Sequence, residues 1–162
     1  MSKKLVVGKQ FPKFNLVVDS DKRISEKSFL KRKTIIFIYP KNNTGGCTKE
    51  CVNFSRLIKD FETLNISIYG LSKDTILSHK KFIKKYSLKI KLISDPSAEL
   101  ITQVGAWVQK TMYGKKCMGS ERTTFILNEN NQITHIWTKV RVTGHAEEVL
   151  KACKNLIKED NK

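Results

Sequence analysis

Long apolar runs are missing from this chain, and histidine, proline and arginine are scarce. No stretch approaches the ~20 apolar residues of a membrane-spanning helix, so no membrane association is expected. The opening residues, Met1-Ser2-Lys3-Lys4-Leu5-Val6-Val7-Gly8, are basic but carry no apolar segment of secretory length. The three histidines, His79, His135 and His145, share no metal-ligand spacing with one another or with the four cysteines. No linker, repeat or low-complexity tract divides the sequence, so a single domain over residues 1–162 is expected.

What is abundant is lysine. The formal net charge is +16, and of 31 basic residues 26 are lysine and 5 arginine. Arginine is the side chain suited to bidentate recognition of phosphates and bases. The lysines are spread, as at Lys80, Lys81, Lys84, Lys85, Lys89 and Lys91, with no aromatic groove among them. The surplus reads as a solvated face with weak, salt-sensitive affinity for polyanions, and no specific nucleic-acid partner is expected. Cys47, Cys51, Cys117 and Cys153, in a chain without a secretory segment, are expected as reduced, partly redox-active thiols in the cytoplasm.

Residues 14–18 and 23–25 suggest a short hairpin across Asp19-Ser20-Asp21-Lys22. Thr34-Ile35-Ile36-Phe37-Ile38-Tyr39 reads as a fully buried strand, and Phe54, Leu57, Ile58 and Phe61 form the apolar face of one helix after it. Ile66 to Leu71 is a second apolar strand, which makes a right-handed crossover with parallel strands. A helix from Thr75 to Tyr86 turns Ile76, His79, Phe82 and Ile83 to one side, Asp95-Pro96 marks a turn, and Ala98 to Val104 reads as a short helix. Two strands, 123–127 and 132–137, flank the polar turn Asn128-Glu129-Asn130-Asn131. A last helix from His145 buries Ala146, Val149, Leu150, Cys153 and Ile157. His79 and His145 read as structural.

The chemistry concentrates between the first strand and first long helix. There Pro40-Lys41-Asn42-Asn43-Thr44-Gly45-Gly46 delivers Cys47 to the first turn of the helix. Helix N-termini present unpaired N–H groups and partial positive charge, which favour a thiolate. That interaction contributes about 0.3–1 kcal/mol, too little to ionise a free cysteine at neutral pH without further help.

Pro-x-x-x-Thr-x-x-Cys after an apolar strand ending in tyrosine resembles the signature of the peroxiredoxins. Tyr39 to Glu50 is most similar to the bacterioferritin comigratory protein, or peroxiredoxin Q, branch. The similarity extends through Gly8-x-x-x-Pro12-x-Phe14, Ser78-His79-Lys80-Lys81-Phe82, Ser94-Asp95-Pro96, Trp107, Met112-Tyr113-Gly114, Gly119-x-x-Arg122-x-Thr124-Phe125 and Gly144 to Leu150. It implies an α/β, thioredoxin-like fold with a central mixed sheet flanked by helices, consistent with the order of elements above. It also implies a thiol peroxidase that needs no metal, haem or flavin and works as a monomer. Cys47 would attack hydrogen peroxide or an organic hydroperoxide, Arg122 would hold thiolate and peroxide, Thr44 would offer a hydroxyl, and Pro40 would cover the sulfur. A second cysteine would form a disulfide, recycled by thioredoxin or another small dithiol.

Two departures stand out. Gly45 occupies a position where this branch commonly has proline, which loosens the loop. Cys51 follows Cys47 by four residues instead of the usual five. On an intact helix that spacing puts Cβ atoms about 5–6 Å apart, whereas a disulfide needs about 3.5–4.5 Å. Cys51 is therefore either a resolving cysteine released by unwinding or part of the core, with Cys117 a second candidate and Cys153 packing. Alternative readings are a one-cysteine peroxidase recycled by an external thiol, a disulfide reductase, and a basic nucleic-acid-binding protein with a degenerate thiol site.

Overall fold

The computed structural model describes residues 5–161; residues 1–4 and 162, which fall within the expected domain, lie outside the described residues. Strand β3 (Lys33–Ile38) anchors the architecture. Its β-branched and aromatic side chains are buried on both faces, the pattern of an interior strand covered on both sides. Ile35 and Phe37 face one core cluster. Ile36 and Ile38 face the other.

Around it runs a seven-stranded sheet in the order β2-β1-β5-β4-β3-β8-β9. The central strands β3, β4 (Ile66–Ser72) and β5 (Lys91–Ser94) are parallel. Antiparallel strands close it on both sides. On one side stands the hairpin β1 (Asn15–Val18) and β2 (Arg23–Ser25). On the other stand β8 (Thr123–Leu127) and β9 (Ile133–Trp137). Helices α1 (Gly45–Arg56), α2 (Ile58–Thr63), α3 (Ile76–Tyr86) and α5 (His145–Asp160) contribute to one core. The short α4 (Glu99–Gln103) contributes to the other with Phe11 and Phe29. This is the expected mixed α/β, thioredoxin-like arrangement.

Besides the short strand β5, which the sequence expectation does not include, two features depart from it. The apolar face from Phe54 to Phe61 is split between two helices at Leu57. There the Leu57 amide bonds the Phe54 carbonyl while the Leu57 carbonyl takes the amides of Asp60 and Phe61. The tightened turn leaves both Phe54 and Phe61 fully buried. The second departure is a separate two-stranded ribbon, β6 (Trp107–Met112) and β7 (Lys115–Ser120), where no strands were expected. Cys117 sits on it, exposed and paired in register with Lys110.

At the start of β3 the Lys33 ammonium bonds Glu129 at 2.7 Å and Asp160 at 2.6 Å, tying the strand to the β8–β9 turn and the end of α5. Nearer the other end, Gly70 faces Phe37 across the parallel pair. A Cβ there would fall 2.7 Å from Leu92 Cδ2 and 3.0 Å from Phe37 Cζ. Gly70→Ala should therefore lower stability by about 1–3 kcal/mol, as overpacking does. The check is the denaturant midpoint at unchanged slope; an unshifted midpoint would show that the core yields freely.

Candidate active site

The end of β3 and the start of β8 create the site. Ile38 pairs with Thr123, so Arg122 arrives across the sheet beside the point where Tyr39 and Pro40 leave β3. The backbone around Arg122 is fixed on both sides: the Glu121 amide bonds the Ala106 carbonyl and the Val140 amide bonds the Arg122 carbonyl. The guanidinium then reaches the first turn of α1. Its Nη2 lies 3.5 Å from Cys47 Sγ, and its Nη1 donates to Glu50 Oε1 at 2.8 Å. Gly46 eases the approach, since a Cβ there would stand a tight 3.2 Å from Arg122 Nη2.

The pocket is dry. Cys47 is 2% exposed and Glu50 1%. Burial lifts the Glu50 carboxyl to about 7 even though Arg122 pulls it down. For Arg122 burial pulls the other way, but Glu50 and then Cys47 outweigh it and raise its pKa. Oε2 of Glu50 finds no hydrogen-bond partner among the described residues. Sequence reasoning gave Glu50 no role. The available signal was its position three residues after Cys47, which sets both on one helix face.

The loop carrying Pro40 and Thr44 is held from beneath. Tyr39, fully buried, donates from its hydroxyl to Asn42 Oδ1 at 2.6 Å. The Asn42 amide nitrogen donates to Ser78 Oγ and lies 2.9 Å from His79 Nδ1. His79 Nε2 meets the Ile93 carbonyl at 3.0 Å. A carbonyl can only accept, so the proton sits on Nε2 and Nδ1 receives the Asn42 amide. Burial lowers the His79 pKa, which keeps this tautomer neutral. The Asn42 backbone amide is in turn held by Asp74 at 2.9 Å. His145, buried at the start of α5, lies 2.8 Å from Thr124 Oγ1 and packs edge-on against Phe54 and Trp137. Burial takes its pKa down to about 4.

The remaining candidates are placed as follows. Thr44 occupies the N-cap position of α1 without a side-chain cap bond among the described residues, and its hydroxyl donates to the Lys41 carbonyl at 2.9 Å. Pro40 is half-buried and lines a cleft of about 490 Å³ together with Trp107, Met112, Cys117 and Met118. Cys51 is fully buried beneath Cys47, and burial, then the charge of Glu50, pushes its thiol well up. Cys153 is buried on α5, where burial raises it to about 12. All four cysteines are free thiols.

A model of the AhpC/TSA family matches residues 7–136. Peroxiredoxin Bcp of Bacillus subtilis is 30% identical over 150 residues, 93% of this chain and 96% of its own length. Among solved structures, a PrxQ cysteine mutant from Xylella fastidiosa superposes with a TM-score of 0.91 at 29% identity, covering 96% of this chain and 99% of that one. The bacterioferritin comigratory protein of Xanthomonas campestris, in a structure addressing its alkyl peroxide reduction activity, gives 0.84 at 33% identity over 88% and 90%.

His145 and Glu50 have opposite linkages. His145 falls from the ordinary 6.5 to about 4, so the unfolded chain binds the extra proton in that window and stability is lost as pH drops through it. Glu50 rises from 4.5 to about 7, so the folded chain binds the extra proton and stability is lost as pH climbs between those values. Glu50→Gln removes the second effect. Its stability, followed by urea titration at stepped pH, should rise more steeply from acid toward neutral than that of the wild type; parallel curves would contradict the buried, proton-binding Glu50.

Proposed function

The chain belongs to the AhpC/TSA family, among the Bcp (peroxiredoxin Q) peroxiredoxins, and is a thiol peroxidase; from that premise we propose a specific catalytic cycle for it. Cys47 is the peroxidatic residue. Its sulfur attacks one oxygen of hydrogen peroxide or an organic hydroperoxide, the O–O bond breaks, and the products are a Cys47 sulfenic acid and water or an alcohol. The observation that carries this reading is the 3.5 Å contact between Arg122 Nη2 and the buried Cys47 Sγ. A guanidinium there balances charge on the sulfur and has further N–H groups for peroxide oxygens. Thr44 contributes its hydroxyl once substrate displaces the bond to Lys41, and Pro40 shields the sulfur. The apolar side of the cleft at Pro40, Trp107 and Met118 supports organic hydroperoxides as substrates alongside hydrogen peroxide.

Cys51 resolves the sulfenic acid by condensation to a disulfide, which thioredoxin or another small dithiol reduces by exchange. Burial keeps the Cys51 thiol protonated in the folded state. Resolution therefore requires the first turn of α1 to open, and three features favour opening there. Gly45 and Gly46 are exposed, Thr44 makes no side-chain cap bond among the described residues, and the sulfenic acid is a weaker partner for Arg122 than a thiolate. Cys117, exposed in the cleft that Pro40 lines, is the alternative resolving thiol. The protein works as a single-domain cytoplasmic monomer, without a specific nucleic-acid partner.

Cys47→Ser should abolish peroxide-dependent oxidation of a dithiol while leaving the far-UV spectrum unchanged; activity surviving in that variant refutes the assignment. For the second thiol, peptide mapping after one equivalent of peroxide should recover a 47–51 linkage. A 47–117 linkage would transfer the resolving role to the ribbon, and a persistent sulfenic acid would make this a one-cysteine enzyme.

A further inference from the structure

The peroxidase cycle leaves Glu50 without a task, although it occupies the most costly position in the pocket. Its carboxyl is 1% exposed, shares Arg122 with the Cys47 sulfur, and has one oxygen without a protein partner among the described residues. Arg122 is thus one cation facing two acidic groups. Were both ionised, the buried pocket would carry a negative charge that a single guanidinium does not balance. The neighbours offer no relief. Cys51 on the same helix is a thiol and Tyr39 beneath it a phenol, both pushed up by burial. His145 from α5 is neutral, held down to about 4. One proton is therefore shared between Cys47 and Glu50 across the guanidinium.

We propose that Glu50 is the proton store of this site, a neutral carboxylic acid while Cys47 is a thiolate and a carboxylate once the sulfur is oxidised, with Arg122 passing its charge from one to the other. The inference rests on Cys47 being the peroxidatic residue. The step balances: thiolate, hydroperoxide and carboxylic acid give sulfenic acid, alcohol and carboxylate. The S–O bond forms as the O–O bond breaks, the leaving alkoxide gains the proton that Glu50 loses, and the net charge stays at one negative on each side. Condensation of the sulfenic acid with a second thiol releases water and leaves this count unaltered. When an external dithiol regenerates Cys47, the thiol proton returns to Glu50 and the starting state is restored. The elevated carboxyl pKa, about 7, agrees with this inventory. Glu50 positions Arg122 and holds the proton, which reaches the leaving oxygen through a bridging water or hydroxyl while the guanidinium stays charged throughout.

Infrared difference spectroscopy of the full-length protein at neutral pH, reduced minus treated with one equivalent of hydrogen peroxide, tests the idea. A protonated-carboxyl stretch should be present in the reduced state, vanish on oxidation, and be missing altogether in Glu50→Gln. In weakly buffered solution with an indicator dye, the wild type should take up no proton per sulfur oxidised, whereas Glu50→Gln, having no store, should take up one. A wild type that takes up one proton, or that lacks a Glu50-dependent band, overturns the proposal. The wild-type measurement decides even if the variant does not fold. Failure of the peroxidase reading itself looks different, because peroxide would then be neither consumed nor able to remove the Cys47 thiol.

Discussion

One guanidinium holds the site together. Arg122 reaches from the β7–β8 junction to bond a carboxyl and a sulfur on the same turn of α1, 72 and 75 residues away in sequence. Everything local is arranged to permit that reach. Gly46 removes a side chain that would crowd it, and the Ile38–Thr123 pairing sets its origin. The buried Tyr39–Asn42–His79 chain prevents the intervening loop from drifting. A charge in a half-buried place is tolerable only with partners. Arg122, Glu50 and Cys47 are therefore a unit, and altering any one changes the electrostatics of the other two.

The same logic explains why the supporting histidines are neutral. His79 and His145 are both held uncharged by burial, so neither adds a cation that would compete with the guanidinium. Phe54 stacks on Phe37 at 4.5 Å under the helix, giving α1 a rigid apolar seat directly behind the reactive turn. The chain thus combines a fixed base with a helix start built from two glycines. Rigidity there serves peroxide reduction, and looseness at Gly45 serves whatever step follows.

Much of this was legible in the sequence. The buried strand β3, the delivery of Cys47 to a helix start, the 66–72 strand, the His79 helix and the closing hairpin and helix all carry strong apolar periodicity. The weaker signals failed for identifiable reasons. Strand β5 is four residues long and follows a lysine-rich stretch, so its apolar pair Leu92-Ile93 lacks a visible period. The β6–β7 ribbon is largely exposed, and its strands alternate among lysine, glutamine, threonine and methionine without a consistent buried face. The break at Leu57 is invisible because the apolar spacing continues straight through it. Glu50 closes the Tyr39–Glu50 motif, yet no neighbouring residue gives it a role. Its burial follows from a partner 72 positions away that no local pattern announces.

The clasp at Lys33 has a mechanical meaning. It bolts one end of β3 to the last turn of the C-terminal helix and to a hairpin turn, while the redox chemistry hangs from the opposite end of the same strand. The opening between Pro40 and Cys51 that resolution calls for lies at the far end of β3 from this clasp. The molecule is pinned at one end of β3 and left open to rearrangement at the other, and α5 spans both, with Asp160 at the clasp and His145 packed on Phe54 of α1.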